Sequence, residues 1–530
     1  MLVIFVCLLI YCLIIIGSTY AYLYIYNENA NKLTGNLGTA NIELSVERVI
    51  PNESKPLVPL LDAALSNAIQ GNGGKSACID ANNNLSCEVY KITIENTGTV
   101  NLVLNTTISL TSKNSSIFQN LKWRELTSPT EIKETSEIKA MAQSILDAGF
   151  TINSEETKIY YIAVWLSETG SDQLDTDQGL YGGIVRVTSI SGEGVTASFG
   201  EIPELATTYI ENLYNDGSNL TTVSIGEDVV ENVNMSNTKI LPSMLNNKIK
   251  LIDTTESNAT VYLNSEQSIM LDNNDEYRYY GATPNNYVTF NNELWRIINV
   301  SNVKSSLNDK NGEMRIKLIR NNSIGSYSWD SSDETINSGK GINDWTQADL
   351  MTELNTLYYN KQSGTCYNTW NNGSITCDFS KIGLNDISKT LIDDAVWYLG
   401  SSNINDISLD ELYNNERGTN VYKGRPTTWI GKIALAYPSD FGYSTNLSSC
   451  MTPLKNYLSE DCYTWLYNNT EHLLTSFFAY PMYIYRINGV SVSVYTSAAA
   501  SIAIRPVVYL KSDVSIVAGK GTSDNPYVLG

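Results

Sequence analysis

The chain has 530 residues, too many for a single core, and its 42% hydrophobic content is enough to fill the cores of two to four domains. Its 56 acidic side chains against 35 basic ones leave a net charge of −21, which excludes a phosphate backbone as the main partner, because such contacts need a basic patch. Tyr outnumbers Phe by 34 to 9, so most of its six-membered aromatic rings end in a hydroxyl.

The chain opens on MLVIFVCLLIYCLIIIGSTYAYLYIY, which carries no charge before Glu28. Residues 1–26 are long enough to cross a bilayer as a helix, and we read them as a membrane anchor. A secretory signal peptide cut near Ala21 is the competing reading, because Thr19-Tyr20-Ala21 resembles a small-residue cleavage site. Both readings export the rest of the chain.

Residues 27–40 are polar and read as a linker. NIELSVERVI from Asn41 alternates apolar and polar residues, as a half-buried strand does. Residues 57–70 have helical spacing, broken by the glycines that follow. VYKITIENTGTVNLVLNTTISLTS supplies two strands about a turn at Gly98. Residues 130–148 read as one amphipathic helix stopped by Gly149, and 158–191 as two more strands around an acidic loop. Strands with turn signals and few helices predict a β-sandwich with helical insertions over 41–200.

Six cysteines fall in close pairs within polar sequence: Cys78 with Cys87, Cys366 with Cys377, and Cys450 with Cys462. In an oxidising compartment such pairs read as disulfides closing short loops, each stabilising by about 2–3 kcal/mol. Zinc would require C-x-x-C or Cys/His spacing, which is absent.

The order of TYAY, GNLGTANIELSV, YKITIENTGTV and YYIAVWLSETGSDQLDTDQGLYGGIVRVTS resembles the TasA/camelysin-like surface proteins of Gram-positive bacteria. That resemblance, over about residues 1–200, implies a β-sandwich behind a secretion segment and a role as a matrix-fibre or surface component.

Residues 201–275 are acidic and rich in Asn and Ser, and read as a connector with one helix over 203–214. From 276 aromatic residues thicken. Strands flank the Asn311-Gly312 turn, an Asp-capped helix is predicted over 344–361, a second over 386–399 and a short third over 408–415. Residues 427–443 read as a buried strand ending in a turn.

YRYYGATPNNYV, ELWRIINV, IKLIRNNSIGSYSWD, TWIGKIALAYPSDFGY, IRPVVYLKSDVSI and GKGTSDNPYVL resemble a family of surface-domain proteins from gut-type Firmicutes. The closing RPVVYLKS also resembles C-type-lectin-like domains of the formylglycine-generating-enzyme-like and fibrobacter-succinogenes-paralog kind. The fold expected for 276–530 is therefore a C-type-lectin-like α+β domain, and the whole chain α+β but mostly β. In such domains the resemblance places ligands on the last strands and the loop before them. Here these span 476–504, with Tyr480, Tyr483, Tyr485, Ser491, Ser493, Tyr495 and Ser497 as outward candidates and Val490, Val492 and Val494 toward the core. Some domains of this shape are targets of diversity-generating retroelements, and this stretch is rich in the residue types such mutation yields.

Catalytic motifs are scarce. The one histidine, His472, has no nucleophile motif beside it and reads as a helix-surface or pocket residue. The carboxylate pairs Asp393-Asp394 and Glu460-Asp461 are the candidates for glycan hydrolysis. Calcium has one run of oxygen ligands, Asp175 and Asp177 before Gly179, for which a solvated acidic turn is the simpler reading. The expectation is a non-enzymatic, membrane-anchored cell-surface protein without an obligatory cofactor, an adhesin or variable receptor for a protein or glycan ligand. The alternatives are a self-associating fibre or matrix subunit and an extracellular glycan hydrolase.

Overall fold

The computed structural model describes residues 30–37, 40–51, 57–71, 76–112, 120–170, 181–189, 194–200, 204–215, 220–225, 233–234, 259–264, 268–272, 274–331, 340–369, 373–401, 409–445, 464–488 and 491–530. They are mostly β and divide into two compact units, one up to residue 200 and one from 204 to 529. Among the described residues no helix is long and apolar enough to cross a membrane. The apolar segment 1–26 lies outside them.

In the first unit the alternation of NIELSVERVI decides the layering. Ile42, Leu44 and Val46 are buried, and the polar residues between them point away. Strands Ala40–Ile50, Glu88–Asn96 and Thr157–Leu166 pair antiparallel at the centre of a seven-stranded sheet, and Ala30–Leu37, in the span read as a linker, is instead an edge strand paired antiparallel with Ala40–Ile50. Gly194–Gly200, Tyr181–Ser189, Leu102–Ser112 and Ser144–Ile152 make a second, four-stranded sheet in that order. Tyr90 of the first sheet meets Phe199 of the second with 4.1 Å between ring centroids, and Phe150 meets Tyr160 at 6.2 Å. The two layers form a β-sandwich. The Cys78–Cys87 disulfide lies in a side core with Leu65, Ile69 and Trp165, beside the short helix Leu65–Gln70.

The predicted helix over 130–148 does not form. Its residues supply the two-residue strands Glu131–Ile132 and Lys139–Ala140 and the start of Ser144–Ile152. Met141 is its one buried apolar side chain, so the helical spacing had no core to face. Pairing with Leu102–Ser112 satisfies the backbone instead.

In the second unit a twelve-stranded sheet carries Tyr277–Tyr279, Glu293–Val303, Glu313–Arg320 and Val507–Tyr509. Tyr287–Phe290 pairs in parallel with Tyr527–Leu529 at the end of the chain. The predicted Asn311-Gly312 turn is present, with Gly312 at φ +65° where a Cβ would strike Asn302. A five-stranded sheet runs in the order Ser326–Tyr327, Ile502–Ala503, Glu471–Ser476, Tyr483–Asn488, Ser491–Ser497. The Cys366–Cys377 disulfide joins the hairpin Ser363–Thr369 and Gly373–Asp378. Cys450 and Cys462 lie outside the described residues.

Several elements here differ from expectation. The helix expected over 203–214 forms as Ala206–Asn215, but it and the strand Ile269–Leu271 belong to this core and not to a connector, with Ala206, Ile210 and Tyr214 buried. The helix expected over 386–399 stops at Leu391, because Ala395–Tyr398 pairs with Thr428–Gly431 and sets Trp397 opposite Trp429. The strand expected over 427–443 breaks at Lys432 and ends in a buried helix, Pro438–Tyr443. Asp344 does act as a cap, but on a single 3-10 turn, Trp345–Gln347. The helix restarts at Asp349–Thr352 and widens into a π-turn, Glu353–Tyr358.

A buried charge cluster joins these pieces. The Arg278 guanidinium donates through Nε to Asp272 at 2.7 Å, through Nη1 to Asp440 at 3.4 Å, and through Nη2 to Glu276. Lys317 donates to the other oxygen of Asp440 at 2.5 Å. Glu416, on the helix Leu409–Glu416, accepts from the Ser439 amide at 3.0 Å and from the Ser439 hydroxyl, with Arg417 at 3.4 Å. Four buried carboxylates thus face two buried cations, Arg278 and Lys317, and the partly exposed Arg417. Glu416 has the longest ion pair of the four and keeps a proton most readily, because burial pushes its carboxyl up to about 7.

The sign of the pH effect follows. A carboxyl raised on folding contributes stability that is present below its unfolded value near 4.3 and is lost as pH rises toward 7. Glu416→Gln should therefore leave stability near pH 5 about unchanged and add about 2–3 kcal/mol at pH 8. Thermal or urea melts of wild type and variant across that range check this. A variant less stable than wild type at pH 8 would refute it.

Candidate functional site

The seven outward candidates do not share one surface. Tyr480 stands at the tip of the loop 477–482, between strands Glu471–Ser476 and Tyr483–Asn488, and is 51% exposed. Its ring stacks on Phe477 at 6.0 Å, and Tyr483, half-buried, meets it edge-on at 5.7 Å. Tyr485 faces inward instead: it is 2% exposed and sits edge-on to Phe477. Ser497 is also buried, and its hydroxyl donates to the Lys340 carbonyl at 2.7 Å. Ser491, Ser493 and Tyr495 have a described backbone, in the strand that pairs Ser491 with Asn488 and Ser493 with Arg486. Their side chains, and Val490 as a whole, lie outside the described residues.

The loop is held from a part of the chain more than 130 residues away. Asn343, itself buried, donates through Nδ2 to the carbonyls of Phe477 (2.9 Å), Tyr480 (2.9 Å) and Tyr483 (2.7 Å). Its backbone amide donates to the Pro481 carbonyl at 2.7 Å. Arg425 closes the clamp, donating through Nη1 to the Asn343 carboxamide oxygen and through Nη2 to the Pro481 carbonyl at 2.9 Å. Burial pulls this guanidinium below its usual range, while Asp344, Tyr422 and Asp330 favour its charge.

Beside the clamp is a small cleft. Trp329, Trp345, Leu399, Leu474, Pro426 and Val421 give it apolar walls, and Asn343, Asp344, Arg425 and Ser476 give it polar ones. Trp345 packs on Trp329 at 5.1 Å and edge-on to Trp429 at 6.0 Å. The indole N–H groups of Trp329 and Trp345 are buried without an acceptor among the described residues, an uncommon state for such donors. Asp344 has both oxygens engaged, one by the Thr346 amide and hydroxyl and the other by Gln347. Trp329 and Trp345 are fully buried, so the face this region offers a ligand is the exposed Tyr480 ring on the neighbouring loop, which can stack on a flat face.

Elsewhere the chemistry is tied up. Asp393 pairs with Arg315 at 3.2 Å and Asp394 with Lys432 at 3.1 Å, so these adjacent carboxylates serve separate ion pairs. Glu460 and Asp461, and the calcium candidates Asp175 and Asp177, lie outside the described residues. Among the described residues no three His, Cys, Asp or Glu side chains gather as a metal site would need. His472 is a buried strand residue, not one on a helix surface.

Asn343, Arg425, Trp329 and Trp345 were not singled out in the sequence. The one local signal for them is GRPTTW, where an arginine between Gly424 and Pro426 is fixed in a turn and so pre-positioned.

No protein-family profile matches this chain, and no curated protein does. Among solved structures, the sporulation control protein Spo0M of Bacillus subtilis is similar at 9% identity over 36% of this chain and 71% of that one, with a TM-score of 0.14. A likeness of that size carries no inference about fold or activity.

The clamp makes a direct prediction. Asn343→Ala removes the side-chain donor shared by the Phe477, Tyr480 and Tyr483 carbonyls and one of the two acceptors of Arg425, while the Tyr483 carbonyl keeps the Phe477 amide and Arg425 keeps Pro481. Unmet buried groups cost about 1–3 kcal/mol each before relaxation. The variant should lose about 2–4 kcal/mol and expose the 477–482 loop to chymotrypsin, which cuts after its aromatic residues. Unchanged melting together with unchanged cleavage would remove Asn343 from this role.

Proposed function

We propose that this protein is an exported cell-surface binding protein, anchored through residues 1–26, whose second unit engages a glycan on a partner surface through the loop that carries Tyr480 and the neighbouring Tyr483. Tyr480 carries the reading: a half-exposed tyrosine, stacked on Phe477 and fixed by a clamp, loses little entropy when a ligand covers it. A sugar ring offers a C–H face for the tyrosine and hydroxyls that both donate and accept. Export is supported by the two disulfides, which belong to an oxidising compartment, together with the charge-free opening segment.

The test is the purified chain and its Tyr480→Ala variant on a glycan array and on whole cells. Tyr480→Ala removes an exposed ring and should change stability by no more than about 0.5 kcal/mol. Loss of a central aromatic anchor should weaken binding at least tenfold, or about 1.4 kcal/mol. Equal binding by both proteins would overturn the reading, and self-association without glycan binding would favour a fibre subunit.

A further inference from the structure

The protein's one histidine sits in the hairpin that bears the binding loop. His472 lies on Glu471–Ser476, the strand that leads into 477–482, and is 2% exposed. Its Nε2 is 2.9 Å from the Ala500 carbonyl oxygen, so the neutral ring carries its hydrogen on that nitrogen. Directly across the antiparallel ladder is Arg486. Residues so opposed share a face of the sheet, with Cβ atoms about 5 Å apart.

The groups around the ring come from three elements. The turn at Ala500 and the strand Ser326–Tyr327 each present a carbonyl, which would accept a hydrogen from a charged ring. The facing strand presents Arg486, which repels that charge. On His472's own strand the neighbouring Glu471 is taken by Arg505 at 2.8 Å. No carboxylate is among the groups that act on the ring. Burial outweighs the two carbonyls and draws the imidazole down to about 4.

We propose that His472 is an acid-sensitive pin: its protonation sets a buried cation opposite the half-buried Arg486, opens the hairpin of Glu471–Ser476 and Tyr483–Asn488, and releases what Tyr480 and Tyr483 hold. The release rests on the binding reading above, whereas the opening does not. In the open hairpin the ring titrates near 6.5, and in the closed one near 4. The stability contributed by the neutral ring is thus complete above 6.5 and is lost as pH falls toward 4. At pH 5 the open form should gain about 30-fold over its population at pH 8.

A lone histidine gives a lone imidazole resonance, so titration of the full chain with labelled histidine reads this ring without assignment. The expected midpoint is below about pH 5. Hydrogen exchange, corrected for the intrinsic rate, should show protection of the amides in 471–488 falling about 30-fold from pH 8 to pH 5, while Glu293–Val303 keeps its protection. In His472→Gln that fall should vanish. A midpoint near 6.5, or a fall of the same size in His472→Gln, overturns the pin. Should His472→Gln fail to fold, the wild-type midpoint and the contrast between the two regions decide alone. If the hairpin opens at pH 5 while array binding stays unchanged, the pin stands as a hairpin device and its release step falls with the binding reading.

Discussion

Asp440 holds Arg278 on one carboxylate oxygen and Lys317 on the other, and the second oxygen also accepts the Tyr437 amide at 2.9 Å. Those three partners come from Tyr277–Tyr279, from Glu313–Arg320 and from the entry to Pro438–Tyr443. One buried side chain therefore fixes two sheet strands against one helix. Such a cluster is not there for net stability, because apolar residues of equal volume would hold the same place at no greater free energy. Its effect is to exclude other arrangements: with Asp440 displaced, Arg278 and Lys317 lose a shared buried counterion, and breaking such a buried pair costs about 3–5 kcal/mol. The tyrosine faces around it reinforce this. Arg278 lies 4.5 Å from the Tyr443 centroid, Lys317 4.5 Å from that of Tyr437, and Arg417 3.3 Å from that of Tyr413.

The 477–482 loop inherits its position from that cluster. Just before Tyr437, the Ala436 carbonyl accepts the Leu474 amide at 2.9 Å, which attaches the strand leading to the loop. At the far end of the loop Asn343 and Arg425 take over. An amide has two hydrogens and Asn343 directs them at three carbonyls, so the loop is gathered toward one point and not merely tethered. Tyr480 can be half in water and still ordered for this reason. The same attachment explains why a charge placed on His472 would be felt at the tip: strand, loop and return strand are one hairpin, anchored at both ends.

Strands were legible wherever one face is buried and the other wet. NIELSVERVI and the segments around Gly98 and Asn311-Gly312 declare both their faces and their turns, and they fold as read. Segments whose fate depends on distant partners were not legible. Residues 130–148 have helical spacing but lie at the edge of a sandwich, and 395–398 leave their helix because Trp429 offers a strand partner from more than 30 residues away. The site divides in the same way. Tyr480 and Tyr483 are recognisable as tyrosines flanking a proline in a turn. Tyr485 is withdrawn by packing on Phe477, and Ser497 by the Lys340 carbonyl, neither of which period-two spacing can reveal. Asn343 is an ordinary asparagine until three carbonyls from beyond residue 476 arrive around it.

The charge balance bears on what such a site can recognise. Of the 35 basic side chains, Arg278, Arg296, Arg315, Lys317, Arg320 and Arg505 are buried in the second unit. Five of these six pair with acidic groups, so they remove cations from the surface without reducing the excess of 21 negative charges. That excess meets solvent, where it slows the approach of anionic surfaces over a distance of about 8 Å at physiological salt. Arg425, the cation at the cleft, is already committed to Asn343 and Pro481. On the proposed glycan reading, ring stacking on Tyr480 is what remains for recognition. Stacking is short-ranged and indifferent to ionic strength, and it suits an uncharged polyol better than an acidic one.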